Sequence, residues 1–312
     1  MKTQKELAEA YLFGKKKENY IGSIGMWNMS APLVKNSSEI RPLQGWHVLT
    51  TDLFFERNPE IYEYSMSEWE LLTLRLSALL WKQYNGHINI ATDEAGALFL
   101  EKHALDKYYD EIKIILQLKW YGINQKKFWA AGKIVALQHI QPPCAIIDWD
   151  MLIWDTLHLA NVQLAVSHIE HIDGVYYCPP ENFDMSPRYT FPVEWDFTVE
   201  PLNTSFLYIQ DESFKNYYVQ SSLNFMQFER NTADNGSSCM IFAEQRILAM
   251  CAQYWNITPK VFLDYDNLMR DQHLMTHIWV GKPFIRENKI AKEKYIDLCL
   301  KKIKTIEGLG AL

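Results

Sequence analysis

The sequence predicts an α/β fold: a mostly parallel sheet with helices on both faces. Three observations carry that expectation. Short apolar runs alternate with amphipathic stretches long enough to serve as crossover helices. The runs 87–91 (HINIA), 112–116 (IKIIL) and 144–147 (CAII) read as buried strands. Two of them end on acids, Thr92-Asp93 and Asp148-Trp149-Asp150, at the carboxyl ends where sheets of this kind bind ligands.

Taken in order, residues 20–26 (YIGSIGM) form the first expected strand, ending at Trp27-Asn28 and preceded by a helical extension over residues 1–19. A less regular stretch runs to about Pro59. Ser65-Met66-Ser67-Glu68 has the spacing of a capping box. Behind it Trp69, Leu72, Leu76, Leu79 and Leu80 share a helical face, and Asn85-Gly86 stops the helix. The second strand lands on Asp93, a short helix covers 94–103, and a third strand follows at 112–116. A helix over 125–140 ends at Pro142-Pro143, before the strand that runs into Asp148. Residues 202–209 (LNTSFLYI) place a polar turn before another strand, and a helix opens near Ala243 from the turn at 235–238. Residues 177–200, rich in Pro and aromatics, form a long loop in which Tyr189, Phe191 and Trp195 either pack inward or stack on a sugar. Residues 287–312 form a C-terminal amphipathic helix packed on the main domain, with Ile290, Tyr295, Leu298 and Ile303 on or near its apolar side. The main domain spans 20–286.

The 312-residue chain carries 31 Lys and Arg against 38 Asp and Glu, a net charge of −7. An acidic chain without a basic block is a poor match to a nucleic-acid backbone, so no nucleic-acid partner is expected. No apolar run is long enough for a transmembrane segment, and peripheral membrane contact by the basic C-terminal helix is the minority alternative. The five cysteines form no C-x-x-C pair, and residues 1–20 lack an apolar signal core. A cytoplasmic location, with the inner membrane surface as the alternative, is the expectation.

Asp148 and Asp150 lie two apart after an apolar strand, so in a continuing strand both carboxylates would share a face. Such a pair suits Mg²⁺ or Mn²⁺, which take oxygen ligands and complete their shells with water and phosphate. The matching chemistry is departure of a diphosphate. The competing reading is a solvated turn. Glu244, likewise, has the bland reading of an exposed acid in the first turn of a helix. The segment 275–284 (MTHIWVGKPF) joins His277, Gly281 and Lys282 within a short apolar stretch.

The order of these motifs resembles the GT-A class of nucleotide-sugar glycosyltransferases, nearest to family-eight enzymes of the glycogenin and bacterial lipopolysaccharide-galactosyltransferase type. The counterparts are residues 24–28, Lys133, Asp148-Trp149-Asp150, Asn203-Thr204-Ser205, Glu244-Gln245, and His277 with Gly281-Lys282-Pro283-Phe284. Trp129-Ala130-Ala131-Gly132-Lys133 also resembles the Trp-Gly/Ala-Lys helix of uncharacterised bacterial glycosyltransferase-like proteins. Here Gly281 and Lys282 are adjacent where the family separates them, Phe284 stands for Trp, Ser205 for Gly and Glu244 for Asp.

The resemblance implies a Rossmann-like sheet and a metal held by Asp148, Asp150 and His277. It implies diphosphate contacts from Lys282 and the Gly281 backbone, and Lys133 near the donor sugar or bracing the acid pair. Asn203, Glu244 and Gln245 would line the sugar and acceptor side, with Asp93 and Trp27 near the nucleoside. The implied activity is metal-dependent transfer of a hexose from a nucleoside diphosphate sugar to a glycan or other hydroxyl acceptor, in cell-surface polysaccharide synthesis. The alternatives are a nucleotidyltransferase or nucleotide-sugar hydrolase, and a non-catalytic carbohydrate- or partner-binding protein on the same fold.

Overall fold

The computed structural model describes residues 42–117, 121–173, 176–230, 236–265, 268 and 273–309. The strand expected at 20–26, the helix expected at 1–19 and Trp27 lie outside the described residues.

Among the described residues the central sheet has seven strands in the order β3-β2-β1-β4-β7-β6-β8. These are β1 (Leu43–Leu49), β2 (Gly86–Thr92), β3 (Glu111–Ile114), β4 (Cys144–Ile147), β6 (Leu164–Val166), β7 (Phe206–Ile209) and β8 (Lys260–Val261). β1 runs parallel to both β2 and β4, β2 to β3, and β6 to β8. β7 is antiparallel to its neighbours β4 and β6, so the sheet is mostly parallel. A separate antiparallel pair joins β5 (Met151–Ile153) to β9 (Met275–His277).

The middle strands bury alternate residues in two different cores. Cys144 and Ile146 of β4, with Leu207 and Ile209 of β7, face one apolar cluster. That cluster is closed by α4 (Ala131–His139), α5 (Glu212–Phe228) and α7 (Ile247–Tyr254). Ala145, Ile147, Phe206 and Tyr208 face the other, closed by α2 (Glu68–Tyr84) and α3 (Glu94–Lys102), with the short helix α1 (Asp52–Arg57) between β1 and α2 in the chain. Burial on both faces explains why these strands read as unbroken apolar runs rather than alternating ones.

β1, which lies between β2 and β4, falls in the stretch expected to be irregular, because Gln44 and His47 interrupt its apolar pattern. His47 is nevertheless wholly buried and hydrogen-bonded through both ring nitrogens. Gly45 is required here, since a Cβ would lie 2.5 Å from the Trp81 ring. The cap of α2 is Ser67 with Glu70, two residues beyond the expected box; the Ser67 amide and hydroxyl both donate to Glu70 Oε2. Asn85 ends α2 as expected, and Gly86 takes a φ of +123°, which disfavours any side chain. The helix expected over 125–140 is regular only across α4, with turns before it.

α2 is buried on two sides. Leu74, Ala78 and Trp81 face the sheet, while Trp69, Leu72, Leu76 and Leu80 pack with the C-terminal helix α9 (Lys289–Leu309) in a third core. α9 contributes Tyr295, Cys299, Ile303 and Ile306 at helical spacing. Ile290, expected on that apolar side, is instead 70% exposed, because the buried stripe starts at Ala291. The segment 177–200 packs inward: Phe183 and Trp195 are buried, and Phe191 makes ring contacts with Phe225 and Phe242. No helix among the described residues is long and apolar enough to cross a membrane.

Candidate functional site

β4 ends at Ile147, and the chain turns instead of continuing as a strand, with the Met151 amide donating to Asp148 O at 2.8 Å. The shared-face argument for Asp148 and Asp150 therefore fails in its geometry, yet the tight turn still brings both carboxylates together. The Asp148 amide is fixed by Ser205 O at 2.8 Å, which ties the turn to the entrance of β7.

His277 arrives through the β5–β9 pair. Met151 faces His277 in register, and the Ile278 amide donates to Asp150 O at 3.0 Å. His277 Nε2 lies 3.4 Å from Asp150 Oδ2 and 3.8 Å from Asp148 Oδ2. One ligand atom from each of the three residues fits within 4.8 Å of the others. These three side chains are the ones that would hold a hard cation.

Two lysines enter from different elements. Lys133, on α4, reaches Asp148 Oδ1 at 2.6 Å, Glu244 Oε1 at 2.8 Å and Thr204 O at 3.4 Å. Lys282, at the start of α8 (Lys282–Glu287), sits 2.9 Å from Asp150 Oδ2 and 4.5 Å from the centre of the Trp149 ring. The indole face suits an ammonium.

Glu244 is 3% exposed, which overturns its reading as a solvated first-turn acid. Helix α6 (Gly236–Ile241) passes into α7 through a π-helical turn, Phe242–Arg246. Widened turns of this kind recur at functional sites because they re-aim side chains. The turn's carbonyls are held from α5, where the Ser222 hydroxyl donates to Ala243 O at 2.7 Å and the Tyr218 hydroxyl to Glu244 O at 2.8 Å.

The electrostatics of the acid pair are uneven. Burial pushes the Asp148 carboxyl upward; Lys133 opposes this, Asp150 adds to it, and the net displacement is upward. Burial would raise Asp150 too, but Lys282 and His277 outweigh it and hold that carboxyl well below the usual range. Burial works against the Lys133 ammonium, yet Asp148 and Glu244 raise its pKa above the ordinary lysine value. Asp150 Oδ2, Glu244 Oε1 and His277 Nδ1 are buried and, among the described residues, make no aligned hydrogen bond. The lysine contacts to Asp150 Oδ2 and Glu244 Oε1 are thus ion pairs by distance without hydrogen-bond alignment. Two carboxylates and an imidazole, with an Asp150 oxygen between them held by ion pairs and not by aligned hydrogen bonds, fit a hard divalent ion.

The remaining expected residues are placed as follows. Asn203 stands one layer behind: its amide donates to Glu170 Oε1 at 2.8 Å, and its carbonyl oxygen accepts from Ser167 and Ser205. Gln245 accepts from the Tyr177 hydroxyl at 2.6 Å. Burial, and then the charges of Glu170, Asp173 and Glu244, push the Tyr177 phenol upward and keep it a donor. The Gly281 amide donates to Ile278 O at 2.8 Å and is engaged within its own turn. Asp93 caps α3 through the Gly96 amide and also accepts from the amide and hydroxyl of Thr51, a structural role that accounts for its burial.

Sequence reasoning missed the cluster Ser167, His168 and Glu170, in which His168 Nε2 lies 2.9 Å from Glu170 Oε1. The available signal was a polar S-H-I-E stretch directly after the apolar run LAV, at another strand end. It also missed a chain beneath the site. Ser77 donates to Met151 O at 2.7 Å, so its oxygen must accept from His47 Nε2 at 3.1 Å, which leaves Nδ1 to accept from Tyr109 at 2.9 Å. That assignment makes His47 neutral, consistent with burial lowering its pKa to about 3.

No curated protein matches the sequence. Among solved structures, the chain is similar to mouse xyloside xylosyltransferase 1 in its apo form, at 10% identity and a TM-score of 0.37, over 71% of this chain and 85% of that one. It is also similar to a double cysteine-to-serine mutant described as a transferase, at 14% identity and a TM-score of 0.30, over 64% of this chain and 83% of that one. A family model described as a family of unknown function, DUF6734, matches residues 56–286, well over half the sequence. The chain therefore belongs to the DUF6734 family.

Proposed function

We propose that this protein is a metal-dependent glycosyltransferase that moves a hexose from a nucleoside diphosphate sugar to a hydroxyl acceptor. The observation that carries the reading is the meeting of Asp148, Asp150 and His277 around a buried carboxylate oxygen without an aligned hydrogen bond, at the carboxyl end of β4. The motif order from Lys133 to Lys282 supports the same class.

Mg²⁺ or Mn²⁺ held by these three residues would supply charge neutralisation for a departing diphosphate. Lys282 adds a point charge for the same phosphates. Lys133 holds Asp148 in place from the side of Glu244. Cleavage of a glycosyl–phosphate bond leaves positive charge on the sugar, and Glu244, buried and facing the cleft lysine, is the carboxylate assigned to that side. Gln245 and Asn203 support the sugar and acceptor side from the second layer. In an inverting enzyme Glu244 would take the acceptor proton; in a retaining one Glu244 or Gln245 would face the opposite side of the sugar. The anomeric configuration of the product, read by NMR, decides between them.

The test is a donor titration. UDP- and GDP-hexoses should bind in the presence of Mn²⁺ and be turned over, and Asp150→Ala should remove both properties. Donor binding that needs no metal and survives Asp150→Ala would refute the assignment.

A further inference from the structure

We propose that Lys282 is an internal occupant of the cation site: its ammonium holds Asp150 Oδ2 until a divalent ion displaces it, and displacement frees it for the donor's diphosphate. The inference rests on the metal and donor reading above.

The two cleft lysines stand in different relations to the three metal-facing groups. Lys133 takes Asp148 Oδ1, whereas Oδ2 of that residue is the oxygen near His277. Lys133 is also anchored by Glu244 and Thr204, so an ion on Asp148 Oδ2 would leave its contacts in place. Lys282, by contrast, sits at 2.9 Å on Asp150 Oδ2, the same oxygen that lies 3.4 Å from His277 Nε2. A dication and an ammonium on one carboxylate oxygen repel, and only the lysine has another place to go. Its side chain is 22% exposed and rises from the first residue of α8, a short helix. The Trp149 face, already 4.5 Å from Nζ, offers it a second partner.

The charges fit an ordered sequence. Asp148, Asp150 and Glu244 set three carboxylates against two lysines, so the site attracts a cation first. A dication reverses that balance, and the released ammonium then adds a mobile positive group facing the incoming diphosphate. On this account Lys282 opposes metal binding in the free protein and favours nucleotide binding in the loaded one.

The opposing signs make the test sharp. Full-length protein and Lys282→Met are titrated with Mn²⁺ without nucleotide, with free Mn²⁺ read by electron paramagnetic resonance. Each is then titrated with UDP and GDP at saturating Mn²⁺ by calorimetry. Lys282→Met should bind Mn²⁺ on the order of tenfold more tightly and nucleotide on the order of tenfold more weakly. Lys282→Arg, which keeps the charge, should return Mn²⁺ affinity toward the native value. Equal or weaker Mn²⁺ binding by Lys282→Met overturns the inference while leaving the metal site intact. Absence of Mn²⁺ binding in both folded proteins removes the metal reading and this inference together.

Discussion

Behind the turn at Asn203–Ser205, the side chains of Ser167, His168, Glu170, Asn203 and Ser205 close on one another in hydrogen bonds of 2.7–3.2 Å. In front of the same turn, Asp148, Asp150 and Glu244 crowd like charges together, and buried atoms of Asp150, Glu244 and His277 lack aligned partners. Both clusters are buried and polar, and both sit at strand ends. A closed network of this kind fixes a fold, since each member satisfies another. An open cluster of charges has a cost in the free protein that a ligand can offset, and it is therefore the place to look for binding.

The contrast predicts which variants lose function and which lose stability. The largest effect belongs in front of the turn. Asp150→Asn should lower donor turnover by about 10³-fold or more, because it removes a ligand to the charge-neutralising ion. Its melting temperature should fall less than that of the variant behind the turn, because the lost attraction of Lys282 and His277 for Asp150 is offset in part by relief of repulsion with Asp148. Behind the turn the order reverses. Asn203→Ala breaks bonds to Glu170, Ser167 and Ser205 and should cost about 2–4 kcal/mol by chemical denaturation, without abolishing Mn²⁺ binding. Equal loss of stability in the two variants would break the comparison.

A pH experiment extends the comparison to the chain beneath the site. His47 is buried and neutral in the folded protein, with its pKa lowered from 6.5 to about 3. Between those values the unfolded chain binds a proton that the folded one does not, so stability is intact above about pH 6.5 and falls as the pH drops toward 3. The contribution is on the order of a few kcal/mol, and His47→Gln should flatten that part of the stability profile. The smallest effect concerns the third core. Tyr295→Phe removes one buried hydroxyl contact, 2.8 Å from Thr73 Oγ1, and should cost about 1 kcal/mol with no change in metal binding.

Much of the candidate site was legible because its parts carry short local signals. Asp148 and Asp150 follow an apolar strand, Lys133 lies on an amphipathic helix, and Glu244-Gln245 and His277–Lys282 are compact motifs. What the sequence hid was how they meet. The β5–β9 pairing spans more than a hundred residues and rests on three-residue strands, too short to leave a periodic trace. The π-helical turn that aims Glu244 has no compositional mark. In the fold, doubly buried β4 and β7 were evident from apolar runs, whereas β1 was hidden by His47, a polar residue whose burial depends on Tyr109 and Ser77 from other elements. Asp93 shows the converse: an acid at the carboxyl end of β2, where a ligand contact was expected, caps the helix that follows.

The central claim is that two acids of one turn and a histidine at the end of β9 grip one cation, and that this cation grips a diphosphate. Anomalous scattering from crystals grown with Mn²⁺ and UDP or GDP tests it most directly. The account predicts a manganese peak bonded to Asp148, Asp150 and His277, with both phosphates against it and Lys282 Nζ moved off Asp150. Nucleotide bound elsewhere, or bound in this cleft with Lys282 still on Asp150 and no manganese between the carboxylates, would contradict it.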